Sequence, residues 1–265
     1  MRRLICGLVA VLLLSSCSPG GFTELQRNVT LAAQQQLQRT LASHFTRSLG
    51  AGVDTIIAGL SGAGGYLDNP LVRILLPPPL GLVLAVARDL HGGDPEATRL
   101  EQLMNHAAQA AIPGAGPVLR AAIASISSGD AELLLQGGTS AATEFVMART
   151  REALLETLGP AVAQTLAQSG ANELYAGALR AYELQKSIAL AGEEVLRDSL
   201  PASPIPDLAH SAPTAPLLAE VPPRDLGEYV TSKAVDGLFA ALAQREEIIR
   251  RDIQNLASGL LLPAS

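Results

Sequence analysis

The chain has 265 residues and a formal charge of −6; 48% of the residues are hydrophobic, 3% are aromatic and none is Trp. An acidic chain without a basic cluster is poorly suited to nucleic acid or to an anionic membrane surface, both of which are attracted by Lys and Arg. A core drawn from Ala, Leu, Ile and Val favours closely packed helices, and the length permits one large domain or two small ones.

The chain starts with Arg2 and Arg3, an apolar run from Leu4 to Leu14, and then Ser15, Ser16 and Cys17. The run is too short for a bilayer span, which takes about 20 residues. Positive charge, apolar stretch and small residues in that order make a secretory leader, residues 1–16. The ending Leu14-Ser15-Ser16-Cys17 resembles the bacterial lipobox, in which the cut falls before a lipidated cysteine. The alternatives are an ordinary leader or an uncleaved apolar anchor. Acyl chains contribute about 0.8 kcal/mol per buried methylene, and one chain alone holds only marginally. Lipoproteins of this class carry more than one chain, so the resemblance implies stable anchoring through Cys17. Ser18 rather than Asp follows the cysteine; by analogy with such lipoproteins, this points to the outer membrane of a Gram-negative cell, periplasmic side. Cleavage leaves 249 residues and moves the charge from −6 to −8, because Arg2 and Arg3 depart. Cys6 departs too, so the acylated chain has no intrachain disulfide to form, despite an oxidising compartment.

Residues 17–21 read as a lipidated terminus and spacer. A helix is expected from Phe22 to Leu49, with Leu25, Val29, Ala33, Leu37, Leu41, Phe45 and Leu49 recurring at every fourth position. A step of four overshoots the helical turn, so the stripe drifts, and the helix bends around the core or breaks near Ser43-His44. Gly50 and Gly52 punctuate, and a second helix covers Val53–Leu60. Ser61–Pro70 is a Gly-rich loop; without a preceding strand, a third fingerprint glycine or a Gly-Lys-Ser/Thr, it is a turn needing positive φ rather than a phosphate cradle. Leu71–Leu76 is extended and stopped by Pro77-Pro78-Pro79. Helices are then expected over Leu80–Leu90, from Asp94-Pro95-Glu96 to Ala111, and over Pro117–Ser127. A short one follows, capped at Ser128-Gly-Asp130 and ending at Gly137-Gly138. Further helices cover Ser140–Leu158, Pro160–Gln168 and Glu173–Ser199. Residues 200–223 are Pro-rich and read as a loop. The last helix starts at Asp225. It carries Glu246–Arg250 and Glu247–Arg251, acid-first pairs at spacing four that contribute a few tenths of a kcal/mol each. Residues 259–265 are a loose tail. The fold class is thus all-α: one bundle-like domain over residues 22–258.

Four stretches together resemble an uncharacterised bacterial family, domain of unknown function 4197. They are Gly65-Tyr66-Leu67-Asp68-Asn69-Pro70 with Ile74-Leu75-Leu76-Pro77; Met104-Asn105-His106-Ala107-Ala108; Gly129-Asp130-Ala131 to Leu135 with Gly137 and Ala141-Ala142-Thr143; and Tyr229 through Lys233, Asp236, Gly237 and Phe239 to Glu246 and Ile249-Arg250. The resemblance spans roughly residues 50–252 and implies a helical exported protein with no established activity. His106 stands where an arginine is usual, Arg245 replaces an acid, and the Pro-rich stretch is longer than typical.

The polar residues within those stretches are Asn105, Asp130, Thr143, Tyr229, Lys233 and Asp236. Tyr229, Lys233 and Asp236 share one helical face. They either tie that helix to the adjoining loop and core or form a polar cluster at a groove mouth; Asp130 and Thr143 read as caps that bond local backbone. His44, His91, His106 and His210 are scattered and none has a His-Glu-x-x-His spacing. With no free thiol and no Gly-x-Ser-x-Gly elbow, neither zinc, cysteine nor serine chemistry is indicated. The expectation is therefore a non-enzymatic envelope lipoprotein without metal or cofactor, binding an envelope protein or an apolar ligand and no nucleic acid. An apolar-ligand carrier is the first alternative. An envelope hydrolase drawing on Asp68, Glu101, His106 and Asp236 is the second.

Overall fold

The computed structural model describes residues 19–78, 80, 95–199 and 221–261. The leader, Cys17, the helix expected after Leu80 with its Asp94 cap, most of the Pro-rich stretch and residues 262–265 lie outside the described residues. Among the described residues every regular element is helical: α1 (Pro19–Ser61), α2 (Pro95–Ala111), a 3-10 turn (Ile112–Gly114), α3 (Ala115–Ala124), α4 (Ser128–Gln136), α5 (Ala141–Ser169), α6 (Ala171–Ser199) and α7 (Leu226–Leu261). The all-α reading holds. No single described helix is long and apolar enough to cross a membrane.

Helix α7 and helix α5 form the most extensive helix pair among the described residues. Helix α7 also packs on α1, and more lightly on α2. Its inward stripe of Leu226, Val230, Ala234, Leu238, Leu242, Ile249 and Ile253 is buried along the whole body, which is the three- and four-residue spacing of one helical face. Helix α5 presents Val146, Leu154, Leu158, Val162 and Leu166 to the same core.

Two expected breaks are absent. α1 runs unbroken through Gly50 and Gly52. Gly52 has a packing reason to lack a side chain: a Cβ there would sit 3.0 Å from Arg245 Cγ of α7. The four-residue stripe is also shorter than expected. Phe45 and Leu49 are buried, as are Ala42, Val53 and Leu60, whereas Val29 and Ala33 face solvent. From Arg27 to Gln36 the helix stands in water on all sides. The second absent break is at Pro160, which lies inside α5 rather than opening a new helix. A proline in a helix interior costs about 3 kcal/mol. Burying Leu158, Val162 and Leu166 on one continuous stripe contributes roughly 1.5–3 kcal/mol each, so packing overrides the local preference. The exposed face is where Pro160 sits.

Residues 73–77 carry no helix, and burial alternates from Val72 to Leu76: Val72, Ile74 and Leu76 are buried, Arg73 and Leu75 exposed, before Pro77 is buried as well. Among the described residues no strand pairs with them. The preceding Gly-rich turn projects Tyr66 into the core, fully buried, with its hydroxyl donating to the Ala234 carbonyl of α7 at 2.8 Å. Gly64 takes φ +73°, the left-handed conformation that glycine adopts without steric penalty. Gly237 lets α7 approach, since a Cβ there would lie 3.0 Å from Val72 Cβ.

Candidate functional site

The six polar residues singled out in the sequence do not converge. Asn105 is buried on α2 and acts as the missing neighbour strand for the extended segment: its Oδ1 accepts from Ile74 N at 2.8 Å and its Nδ2 donates to Ile74 O at 2.7 Å, and to Glu101 O. Asp130 is the third residue of α4 and closes a capping box with Ser127, which is the cap in place of Ser128. That agrees with the local-bonding reading of Asp130. Thr143 departs from it, because its hydroxyl donates across the core to Glu246 at 2.7 Å.

Tyr229, Lys233 and Asp236 do share a face of α7. The Tyr229 hydroxyl donates to Leu75 O at 3.1 Å, tying α7 to the extended segment. Lys233 lies over the Tyr229 ring and 4.0 Å from Asp236, which also receives Arg151 of α5 at 2.8 Å. These groups are 40–50% exposed, and such solvated pairs contribute at most about 1 kcal/mol. They clamp α7 to its neighbours. Of the residues considered for hydrolysis, Glu101 pairs with Arg73 at 2.7 Å and Asp236 with Arg151. Asp68 folds over Gly64, and His106 faces solvent. His44 contacts Ser48 on the exposed side of α1; His91 and His210 lie outside the described residues. Among the described residues no three of His, Cys, Asp or Glu gather closely enough to hold a metal ion.

The strongest polar feature is the Glu246–Arg250 pair. Glu246 and Arg250 are not a solvated pair: Glu246 is 0% and Arg250 8% exposed. The Glu246 carboxylate accepts from Ala142 N at 3.0 Å and from Thr143 N at 2.7 Å, as well as from the Thr143 hydroxyl. These amides belong to the first turn of α5, where the dipole favours an anion. Arg250 grips Glu246 and donates to Leu134 O and Leu135 O at 2.7 and 2.9 Å. Those carbonyls end α4, where the dipole favours a cation. Its guanidinium also stacks 4.9 Å above the Phe45 ring of α1. One ion pair on α7 thus caps the end of α4, the start of α5, and touches α1. The sequence does carry the signal: Glu246 lies four residues after Leu242 and three before Ile249, on the buried stripe itself.

Three tyrosine hydroxyls donate to distant backbone carbonyls: Tyr66 to Ala234, Tyr175 to Pro223 and Tyr229 to Leu75. Burial pushes Tyr66 well above the ordinary phenol range. Burial, with the neighbouring Tyr229 second, pushes Tyr175 up to about 12, and burial with Glu101 raises Tyr229. Raised phenol pKa values mean that the folded chain holds protons the unfolded chain releases, so this contribution is complete below pH 10 and is lost as pH climbs through about 12. The expected outcome is a tyrosinate absorbance titration whose Tyr66 and Tyr175 components appear late, with alkaline loss of helical circular dichroism, and a shallower dependence of stability on alkaline pH in Tyr66→Phe, which has no phenol to ionise. Tyr66 and Tyr175 ionising freely near pH 10 while the helices persist would contradict it.

Two cavities open at the surface of the described body. One, of about 410 Å³, lies between the end of α1, the Gly-rich turn and α7, with Leu60, Asp68, Gln244 and Arg245 in its walls. The other, of about 420 Å³, lies at the α5–α7 crossing beside Asp225, Glu228 and Thr231. A family model described as a protein of unknown function (DUF4197) matches residues 35–263. No curated protein and no solved structure matches the chain.

Proposed function

Taking as premise that this chain belongs to the DUF4197 family, whose description carries no activity, we propose that it is a non-enzymatic envelope lipoprotein: a helical binding or scaffold module held on the periplasmic side of the outer membrane by acylated Cys17. The observation that carries the non-enzymatic half is where the polar side chains go. Asn105, Asp130, Thr143, Tyr229 and Glu246 each complete a backbone or helix-end bond, which leaves them engaged in architecture. The tethering half draws on the Leu14-Ser15-Ser16-Cys17 ending, and is supported by the solvated turns of α1 from Arg27 to Gln36. A helix that buries nothing from Arg27 to Gln36 suits a stalk between an anchor and a body.

Cells grown with labelled palmitate test the tether. The mature protein is expected to carry label and to fractionate with the outer membrane, Cys17→Ser to lose the label, and Ser18→Asp to shift the protein to the inner membrane. Recovery of unlabelled protein, or of protein with its leader intact, defeats the proposal. Turnover of an envelope substrate that disappears on changing Lys233 or Asp236 would replace the non-enzymatic reading.

A further inference from the structure

Two arginines of α7 stand five residues apart and behave oppositely. Arg250 is saturated by Glu246, two carbonyls and the Phe45 ring. Arg245 has no ion pair among the described residues, and its Nε is the buried side-chain polar atom there that lacks a hydrogen-bond partner. Leaving a buried donor unmade is destabilising, and more so in a charged group. The stem of Arg245 runs over Gly52, where there is no side chain to obstruct it. Arg245 also lines the cavity of about 410 Å³ described above, whose walls are aliphatic at Ile56, Leu60 and Ile248 and polar at Asp68, Asn69 and Gln244. That volume lies within the range of about 300–1,000 Å³ of small-molecule sites, which pair apolar walls with a few placed polar groups. Gly59 borders the same space, and a Cβ built on it meets nothing within 4 Å.

We propose that this cavity binds a small monocarboxylate with a short aliphatic chain, its carboxylate on Arg245 and its chain along Ile56, Leu60 and Ile248. The cation sets the sign of the head group, and a carboxylate meets a guanidinium in matched geometry. Asp68, also in the wall, repels a second negative charge and so selects a singly charged head over a phosphate monoester. The inference goes beyond the tethering reading and stands whether or not Cys17 is acylated.

The full chain in phosphatidylcholine nanodiscs, titrated calorimetrically with octanoate against empty discs, tests this. Saturable one-to-one binding of octanoate is expected, with octanol, octylammonium and octyl phosphate weaker by at least about tenfold, one decade in affinity being about 1.4 kcal/mol. Arg245→Gln and Gly59→Leu are each expected to weaken octanoate binding tenfold or more. Both variants should unfold in urea no earlier than the parent, Arg245→Gln because the buried Nε without a hydrogen-bond partner is gone, Gly59→Leu because leucine favours a helix over glycine. A purely architectural arginine predicts the reverse, earlier unfolding. No uptake of octanoate by the parent, equal uptake of octanol, preference for octyl phosphate, or unchanged binding in the folded variants overturns the assignment.

Discussion

Glu246→Ala is expected to lower the unfolding free energy by about 3–5 kcal/mol, the usual consequence of removing one partner from a buried ion pair. The substitution strands the Arg250 guanidinium at 8% exposure. It also leaves two amide donors and a hydroxyl at the start of α5 without their acceptor. Neither loss can be repaired by water while the α4–α5 corner stays packed. Glu246→Gln keeps the shape and one acceptor oxygen, so it should fall between parent and alanine. The double variant Glu246→Gln, Arg250→Met should lose less than the two single losses added together, because neither charge is then left alone. Urea unfolding followed by far-ultraviolet circular dichroism reads all three. A loss below about 1 kcal/mol for Glu246→Ala, the scale of an exposed pair, would show that the corner does not depend on this carboxylate.

The second large effect concerns Asn105→Ala, with an expected loss of about 2–5 kcal/mol. Three hydrogen bonds disappear, and both the amide and the carbonyl of Ile74 lose their partner. A buried group left unsatisfied costs about 1–3 kcal/mol, and the space vacated by the side chain adds a cavity penalty. Asn105→Leu, which fills the space but bonds nothing, separates the two contributions. Hydrogen exchange gives the local signature: the Ile74 amide should be protected in the parent and exchange far faster in both variants. Unchanged protection of that amide in Asn105→Leu would show that packing of Val72, Ile74 and Leu76, rather than the side-chain amide, holds the extended segment.

Helical class and most helix positions were legible because apolar periodicity and caps are local signals. α2 from Pro95, α4 with Asp130 in its first turn and α7 after Asp225 follow this pattern, and Asp225 Oδ1 accepts from Glu228 N. What was not legible was decided by tertiary contact. Gly50 and Gly52 read as a break, yet α1 continues because the Arg245 stem needs the gap at Gly52. Pro160 reads as a helix start, yet the stripe on either side of it is already committed to the core. The polar residues split in the same way. Asp130 bonds three residues away and could be read as a cap; Thr143 bonds Glu246 103 positions away. The Glu246–Arg250 spacing is that of any surface pair, and only its place on the buried stripe betrays it. Arg245 was visible as an unusual charge in the family pattern, but that it lacks a partner is a property of three-dimensional surroundings.

The bonds that bind the Gly-rich turn to α7 also set an order of events. Tyr66 reaches Ala234 across 168 positions, and the α4–α5 corner awaits a carboxylate 103 positions downstream. Closing such long loops costs conformational entropy before any contact rewards it, and chains rich in distant contacts fold slowly. The individual helices therefore have time to flicker in and out while the central clasp is still missing. Until the last helix has emerged, the nascent polypeptide lacks both of these clasps and remains pliable.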